Sequence, residues 1–240
     1  MRSVIVIPAR WASTRFPGKP LAPIAGMSLI QRVHERAVRS RRASDVYVAT
    51  DDDRIATHVT SFGGNVLAPQ GDFHTGTDRI AAALRLVGDR DFDVVVNVQG
   101  DEPLIDIATV DALIDLLAAR DTEMATMACP LTTDEEFNVR DVVKVVTDAH
   151  DVALYFSRAP IGSRDTALRH IGVYAYRRDA LERFVALAPS PLERAESLEQ
   201  LRALQHGLKI AVLRTTKPHL GVDRPEDVAR VESELAKLHS

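Results

Sequence analysis

VIVIPARWASTRFPGKP, residues 4–20, reads as a buried strand that runs into a charged loop. Val4–Ile7 is a short, β-branched apolar run of the kind a strand covered on both faces requires. The loop after it carries Arg10, Arg15 and Lys19, in a chain whose formal net charge is −4. Similar runs recur at Val46–Ala49, Val66–Ala68, Val94–Val98, Met124–Cys129, Val142–Val146, Ala153–Phe156, Ile171–Tyr176 and Ile210–Leu213. Helical stripes lie between many of them: Leu29, Ile30, Val33, Ala37; then Val110, Leu113, Ile114, Leu117; then Leu198, Leu201, Leu204. The alternation predicts an α/β fold, a mainly parallel mixed sheet flanked by helices. Strands crowd together over residues 124–176, which predicts a small β-rich lobe within a single domain spanning residues 1–240.

Composition narrows the function. Charged residues make up 27% and hydrophobic ones 45%, ordinary for a soluble globular protein. Aromatic content of 5% speaks against stacking surfaces for single-stranded nucleic acid. A pI near 6.1 speaks against a broad basic face for duplex DNA. Any anion site must therefore be a local concentration of charge. The one cysteine, Cys129, rules out an intramolecular disulfide and suggests a reducing compartment. No apolar run approaches a membrane span, and the N-terminus does not read as a signal peptide. The expectation is a cytoplasmic protein with no membrane and no nucleic-acid partner.

In open α/β sheets, ligands sit beyond the carboxyl ends of the strands. The first such loop matches neither the dinucleotide fingerprint nor the Walker-type phosphate loop. Its two arginines and one lysine still suit a polyphosphate, with Gly18 permitting close approach and Pro17 and Pro20 stiffening the loop. The same cations also fit a solvated surface. Val94–Val98 leads to Gln99-Gly100-Asp101-Glu102-Pro103. Those acids suit either a helix cap or a hard cation such as Mg²⁺, which binds through one or two carboxylates plus water and phosphate. Asp223, ahead of Pro225, likewise fits an N-cap or a second metal carboxylate.

Taken together, the motifs resemble the 3-deoxy-manno-octulosonate (Kdo) cytidylyltransferase family. They are Pro8-Ala-Arg-x-x-Ser-x-Arg-x-Pro-Gly-Lys19, His74-x-Gly-Thr-Asp-Arg79, Val98-Gln-Gly-Asp-Glu-Pro103, Tyr155-Phe-Ser-Arg158, Arg169-His-x-Gly-x-Tyr174, Ser190-Pro-Leu-Glu193 with Leu198-Glu-Gln-Leu201, and Gly221-Val-Asp-x-Pro-Glu226. The resemblance runs nearly end to end, in order. It implies a Rossmann-like nucleotidyltransferase fold, with the β-rich lobe serving dimerisation. It also implies transfer of CMP from CTP to the anomeric 2-hydroxyl of Kdo, with release of pyrophosphate, for lipopolysaccharide synthesis.

The resemblance further implies roles. Pro8, Ala9, Arg10, Ser13, Arg15 and Lys19 would hold the nucleotide and its triphosphate, with Thr75 and Gly76 near the base. Asp101 and Asp223 would hold Mg²⁺, which would bridge the α-phosphate and the sugar acid and activate the nucleophile. Arg10, Lys19, Asp101 and Asp223 form the catalytic set. The start of the helix after Thr75 would offer free backbone N–H groups. Arg79 and Gln99 would take the sugar's carboxylate end, and His170, Tyr174, Glu199 and Gln200 its hydroxyls. His170 and Tyr174 are an even four residues apart, so they share a strand face. Glu199 and Gln200 would sit on a helix that begins near Pro191. A homodimer is implied as well.

One departure matters. Only residues 161–168 separate Ser157-Arg158-Ala159-Pro160 from Arg169-His170, where the family carries a longer, more polar segment. The sugar could therefore be 8-amino-Kdo or another sialic-acid-like 2-keto-3-deoxy acid. A non-catalytic nucleotide-sugar binder is the remaining alternative, and the intact Lys19, Asp101 and Asp223 argue against it.

Overall fold

The computed structural model describes residues 1–12, 15–88, 91–217 and 220–238. The chain forms two compact units, one from Arg2–Asp111 with His219–Ser240, the other from Ala112–Pro218. Each is described by itself.

The first unit is built around β1 (Ser3–Pro8). Val4–Ile7 have no exposed surface, as an unbroken β-branched run demands. β2 (Pro23–Ile24) and β3 (Met27–Ser28) form a two-stranded hairpin, followed by α1 (Leu29–Ala37). β4 (Ala43–Ala49) pairs parallel to β1, α2 (Asp53–Ser61) follows, and β5 (Asn65–Leu67) pairs parallel to β4. After α3 (Gly76–Leu84), β6 (Val94–Asn97) pairs parallel to the other side of β1. The order is β6-β1-β4-β5, so the β1 and β6 carboxyl ends lie side by side. The predicted stripe Leu29, Ile30, Val33, Ala37 is buried throughout.

The hairpin did not register in the sequence. Its turn, Ala25-Gly26, takes positive φ at both residues (45° and 82°), yet lacks the Asn or Asp that usually announces such a turn. Neighbouring groups hold Ala25 there: Arg32 donates to the Ile24 and Ala25 carbonyls, and the Ala25 N–H donates to Glu232. Glu232 lies on a later helix of the same unit, Asp227–Leu238.

The division falls within α4 (Ile107–Ala119), whose predicted stripe Val110, Leu113, Ile114, Leu117 is buried. The second unit contains β7 (Met124–Pro130), α5 (Asp134–Asn138), β8 (Lys144–Thr147), β9 (Ala153–Ser157) and β10 (Leu168–Arg177). It continues through α6 (Arg178–Ala186), α7 (Pro191–Glu196), α8 (Gln200–Gln205) and β11 (Ile210–Arg214); the Asp227–Leu238 helix of the first unit is α9. β7 pairs parallel with β11 and antiparallel with β10, while β8 pairs antiparallel with β10 and β9. Mixed pairing here follows from short connections, since parallel neighbours need long crossovers.

The single helix expected from Pro191 is two. Ser197 takes the left-handed conformation (φ 53°) between α7 and α8, so Glu199 is the residue before α8 and Gln200 its first. The Arg158 side chain donates to the Glu196 and Ser197 carbonyls at the break, where a continuous helix would have used them internally. No helix among the described residues is long and apolar enough to cross a membrane.

Candidate active site

A cavity of about 320 Å³ opens in the first unit beyond the carboxyl ends of β1 and β6. Its wall includes Pro8, Ala9, Arg10, Arg15 and Lys19, then Thr75, Gly76 and Arg79, then Gln99, Asp101 and Asp223. Every predicted nucleotide and metal residue within the described chain therefore meets in one place. Ser13 lies outside the described residues.

The loop leaves β1 under tight control. The Ala9 N–H donates to the Ala49 carbonyl, which continues the β1–β4 pairing past Pro8. Gly18 takes φ 70°, and a Cβ there would lie 3.0 Å from the Trp11 indole. Gly18 thereby lets the loop fold onto its own tryptophan. Lys19 then opens a short 3₁₀ turn, Lys19–Leu21. The backbone oxygen of Pro8 would lie 2.9 Å from any Cβ at residue 100, so Gly100 brings the β6 loop directly against the β1 loop.

Lys19 is the hub. Its Nζ donates to Asp101 Oδ2 at 2.6 Å and to the Val222 carbonyl at 3.0 Å, and stands 3.8 Å from Asp223 Oδ1. Arg15 Nη2 donates to the same Asp223 oxygen at 3.1 Å. The Val222 N–H donates to the Asp101 carbonyl at 2.9 Å. Asp227, the first residue of α9, accepts from the Asp223 and Arg224 N–H groups just upstream of the helix. Burial pushes the Asp101 carboxyl up, Lys19 opposes that, and the nearby Glu102 and Asp223 charges reinforce it. Asp101 keeps part of its surface open to the cavity, so its burial is one of depth among protein atoms.

The Thr75 end of α3 is less open than its sequence implies. Thr75 Oγ1 accepts from the Asp78 N–H, and Asp78 accepts from the Thr75 N–H. This capping box consumes two of the N–H groups expected to be free for a ligand. Arg79 lines the cavity, but its Nη1 stands 2.6 Å from Asp51 Oδ1 and its guanidinium lies 5.0 Å from the Phe73 ring centroid. Asp51 was not anticipated. Its signal was present, because Thr50-Asp51-Asp52 follows the β4 run directly, the position the strand-end rule inspects. Gln99 donates from its amide to Asn97 Oδ1 at 3.3 Å and also faces the cavity.

His170, Tyr174, Glu199 and Gln200 lie in the second unit. The β10 strand bulges between Ile171 and Tyr174, so that Gly172 and Val173 have no opposite number in β7. Two extra residues preserve the alternation. His170 and Tyr174 share a face, with ring centroids 5.4 Å apart. Burial drops the His170 imidazole to about 3, so it is neutral at physiological pH. Burial raises the Tyr174 phenol, and the neighbouring Tyr176 and Glu199 raise it further. Thr126 lies close to that phenol, but in a geometry short of a hydrogen bond. The Tyr174 hydroxyl and Gln200 Nε2 are buried polar atoms without partners.

A family model described as cytidylyltransferase matches residues 4–210. A 3-deoxy-manno-octulosonate cytidylyltransferase of Syntrophotalea carbinolica is 48% identical over 99% of this chain and all of its own. An 8-amino-3,8-dideoxy-manno-octulosonate cytidylyltransferase of a Shewanella species is 46% identical over 98% of this chain and 99% of its own. A solved structure of CMP:2-keto-3-deoxy-manno-octonic acid synthetase complexed with CTP superposes with a TM-score of 0.91, at 38% identity over 99% of both chains. Full-length likeness at these identities, with a family model matched over most of the chain, places it among the nucleotidyltransferases: it belongs to the 3-deoxy-manno-octulosonate cytidylyltransferase family.

Proposed function

We propose that this enzyme joins CTP to a 3-deoxy-octulosonate, forming the CMP-sugar and releasing pyrophosphate, with Kdo as the sugar and Mg²⁺ as the cofactor. One observation carries the reading: Arg15 and Lys19 converge with Asp101 and Asp223 at the mouth of a single cavity. Cations for phosphate and carboxylates for a metal are what nucleotidyl transfer demands.

The residues fit Mg²⁺. Asp101 and Asp223 are both hard oxygen donors gathered around Lys19. Two carboxylates suffice for an ion that keeps water and substrate phosphate as its other ligands. When bound, Mg²⁺ supplies charge neutralisation and Lewis acidity at the phosphate. The rest is the chain's own work. Arg10, Arg15 and Lys19 hold the triphosphate and offset the charge that accumulates on departing pyrophosphate. Pro8, Ala9, Thr75 and Gly76 line the same cavity and are assigned to the nucleoside.

Sugar binding is assigned, as the resemblance implies, to Arg79, Gln99, His170, Tyr174, Glu199 and Gln200. The orphaned Tyr174 hydroxyl and Gln200 amide support this, because unpaired buried polar atoms are costly and a polyol satisfies them. A second sugar has its own support: relatives named for 8-amino-3,8-dideoxy-manno-octulosonate match nearly as closely as those named for Kdo. We further infer a cytoplasmic homodimer serving lipopolysaccharide synthesis. Exposed Leu154, on β9, offers it an apolar contact point.

The test is pyrophosphate release from CTP and Mg²⁺, with Kdo and 8-amino-Kdo in parallel. Faster release with Kdo is expected. Preference for the amino sugar would keep the chemistry and change the substrate. Release with neither would overturn the proposal.

A further inference from the structure

The hydroxyl of Thr126 has more neighbours than it has protons. Thr126 sits on β7 with no exposed surface, opposite Tyr174 in the register. Its Oγ1 lies 2.8 Å from the Val173 carbonyl oxygen, 3.0 Å from His170 Nε2 and 3.2 Å from the Ile171 carbonyl oxygen. The β10 bulge is what turns these carbonyls toward it, since Gly172 and Val173 are the residues left out of the β7 pairing.

Carbonyl oxygens only accept, and a threonine hydroxyl has one proton to give. If Thr126 donated to His170, its oxygen lone pairs would face a carbonyl oxygen at 2.8 Å, with no proton between them. If instead the imidazole donates from Nε2, the hydroxyl proton goes to Val173 and the short contacts become hydrogen bonds. Only the second arrangement satisfies the buried carbonyl. A neutral imidazole that donates from Nε2 has a bare Nδ1. The ring cannot easily flip to change this, because Phe156 meets it edge-on at 5.0 Å and Tyr174 closes the other side at 5.4 Å.

We propose that Thr126 is a positioning residue that holds His170 in its Nε2–H tautomer, so that Nδ1 is the atom that accepts from a sugar hydroxyl. The proposal rests on the assignment of His170 to sugar binding. It gives the buried threonine, the strand bulge and the histidine one shared purpose. A donor tautomer at Nδ1 would instead seek a carboxylate or carbonyl of the ligand, so the tautomer also decides which polyol geometry is accepted.

The experiment is a long-range ¹H–¹⁵N correlation spectrum of the full-length protein labelled at histidine nitrogen, with His170 identified by the spectrum of H170N. The expected wild-type result is a protonated Nε2 and a bare Nδ1. T126S should preserve it. T126V, nearly the same shape without the hydroxyl, should shift the tautomer population and raise the sugar KM about tenfold, with a smaller change in kcat. A protonated Nδ1 in the wild type overturns the proposal, and so does a T126V spectrum identical to the wild type. Should T126V fail to fold, the wild-type spectrum and T126S still decide. A Nε2–H tautomer whose Nδ1 signal is unmoved by saturating Kdo or 8-amino-Kdo would overturn the sugar assignment while leaving the Thr126–His170 geometry standing.

Discussion

Lys19 shows what single residues could and could not reveal. Its sequence context suits phosphate, and that much was legible. That it would rest on both carboxylates meant for a metal was not, because Asp101 and Asp223 lie 82 and 204 positions further along the chain. The reading of Asp223 as a helix cap was local as well, whereas its carboxylate accepts from Arg15, 208 positions away in the chain. Replacement of Asp101 by asparagine removes one carboxylate of the pair and leaves Lys19 without its 2.6 Å partner. The expected outcome is a fall in kcat of roughly 10²–10³-fold; unchanged turnover would remove Asp101 from the site. His170 gives a prediction in pH. Its native pKa, about 3, is depressed below the ordinary 6.5 by burial. The unfolded chain therefore binds the proton first as pH falls. The stability this group contributes is full above about 6.5 and is lost toward 3, with a slope of up to about 1.4 kcal/mol per pH unit. Denaturant titrations between pH 7 and 4 should show a shallower decline for H170N than for the wild type; parallel curves would refute the buried neutral imidazole.

Elements were more legible than their joints. The apolar runs located the main strands to within a few residues, because β-branched residues buried on both faces leave a strong local signal. The hairpin at Pro23–Ser28 and the α7–α8 break left none, since distant Arg32, Glu232 and Arg158 hold them. The first loop depends on Gly18 in the same manner, through the left-handed backbone and the indole of Trp11, which Arg54 covers from 3.4 Å. Gly18→Ala should cost about 1–2 kcal/mol of local stability and raise the CTP KM severalfold; an unchanged KM would separate the loop fold from nucleotide binding. Lys144 is the corresponding anchor of β8. Fully buried, it donates to the Val139, Val142 and Arg158 carbonyls, tying the loop before β8 to the end of β9. Burial lowers the pKa of its ammonium, yet its three protons are all used. Lys144→Met leaves three carbonyls unpaired, and chemical denaturation should report a loss of about 3 kcal/mol. A loss under half a kcal/mol would mean that those loops hold their own shape.

At the scale of the molecule, the first unit is made from both ends of the chain. The charged loop enters near the start, and the segment carrying Val222 and Asp223 returns more than 200 residues later to face it. No pattern within either segment announces the meeting; only the shared rule of strand ends made it conceivable. The C-terminal helix belongs to that meeting too. Val231 and Leu235 are buried, and Glu232 holds the hairpin turn. A chain ending at Lys217 should therefore lose at least tenfold in CTP affinity and show a lower melting temperature. Retention of full affinity would show that the site is complete without its returning segment.

That closure across the chain also sets a clock on synthesis. A ribosome adds on the order of 5–20 residues per second, so β1, β4 and β6 emerge well before Asp223 exists. During that interval Lys19 can already find Asp101, while Arg15 has no Asp223 to meet. Until then the Arg15 guanidinium lacks the carboxylate that meets it in the folded unit. Translation must pass residue 223 before both carboxylates can stand beside Lys19, so an early stop upstream of it leaves Asp101 there alone.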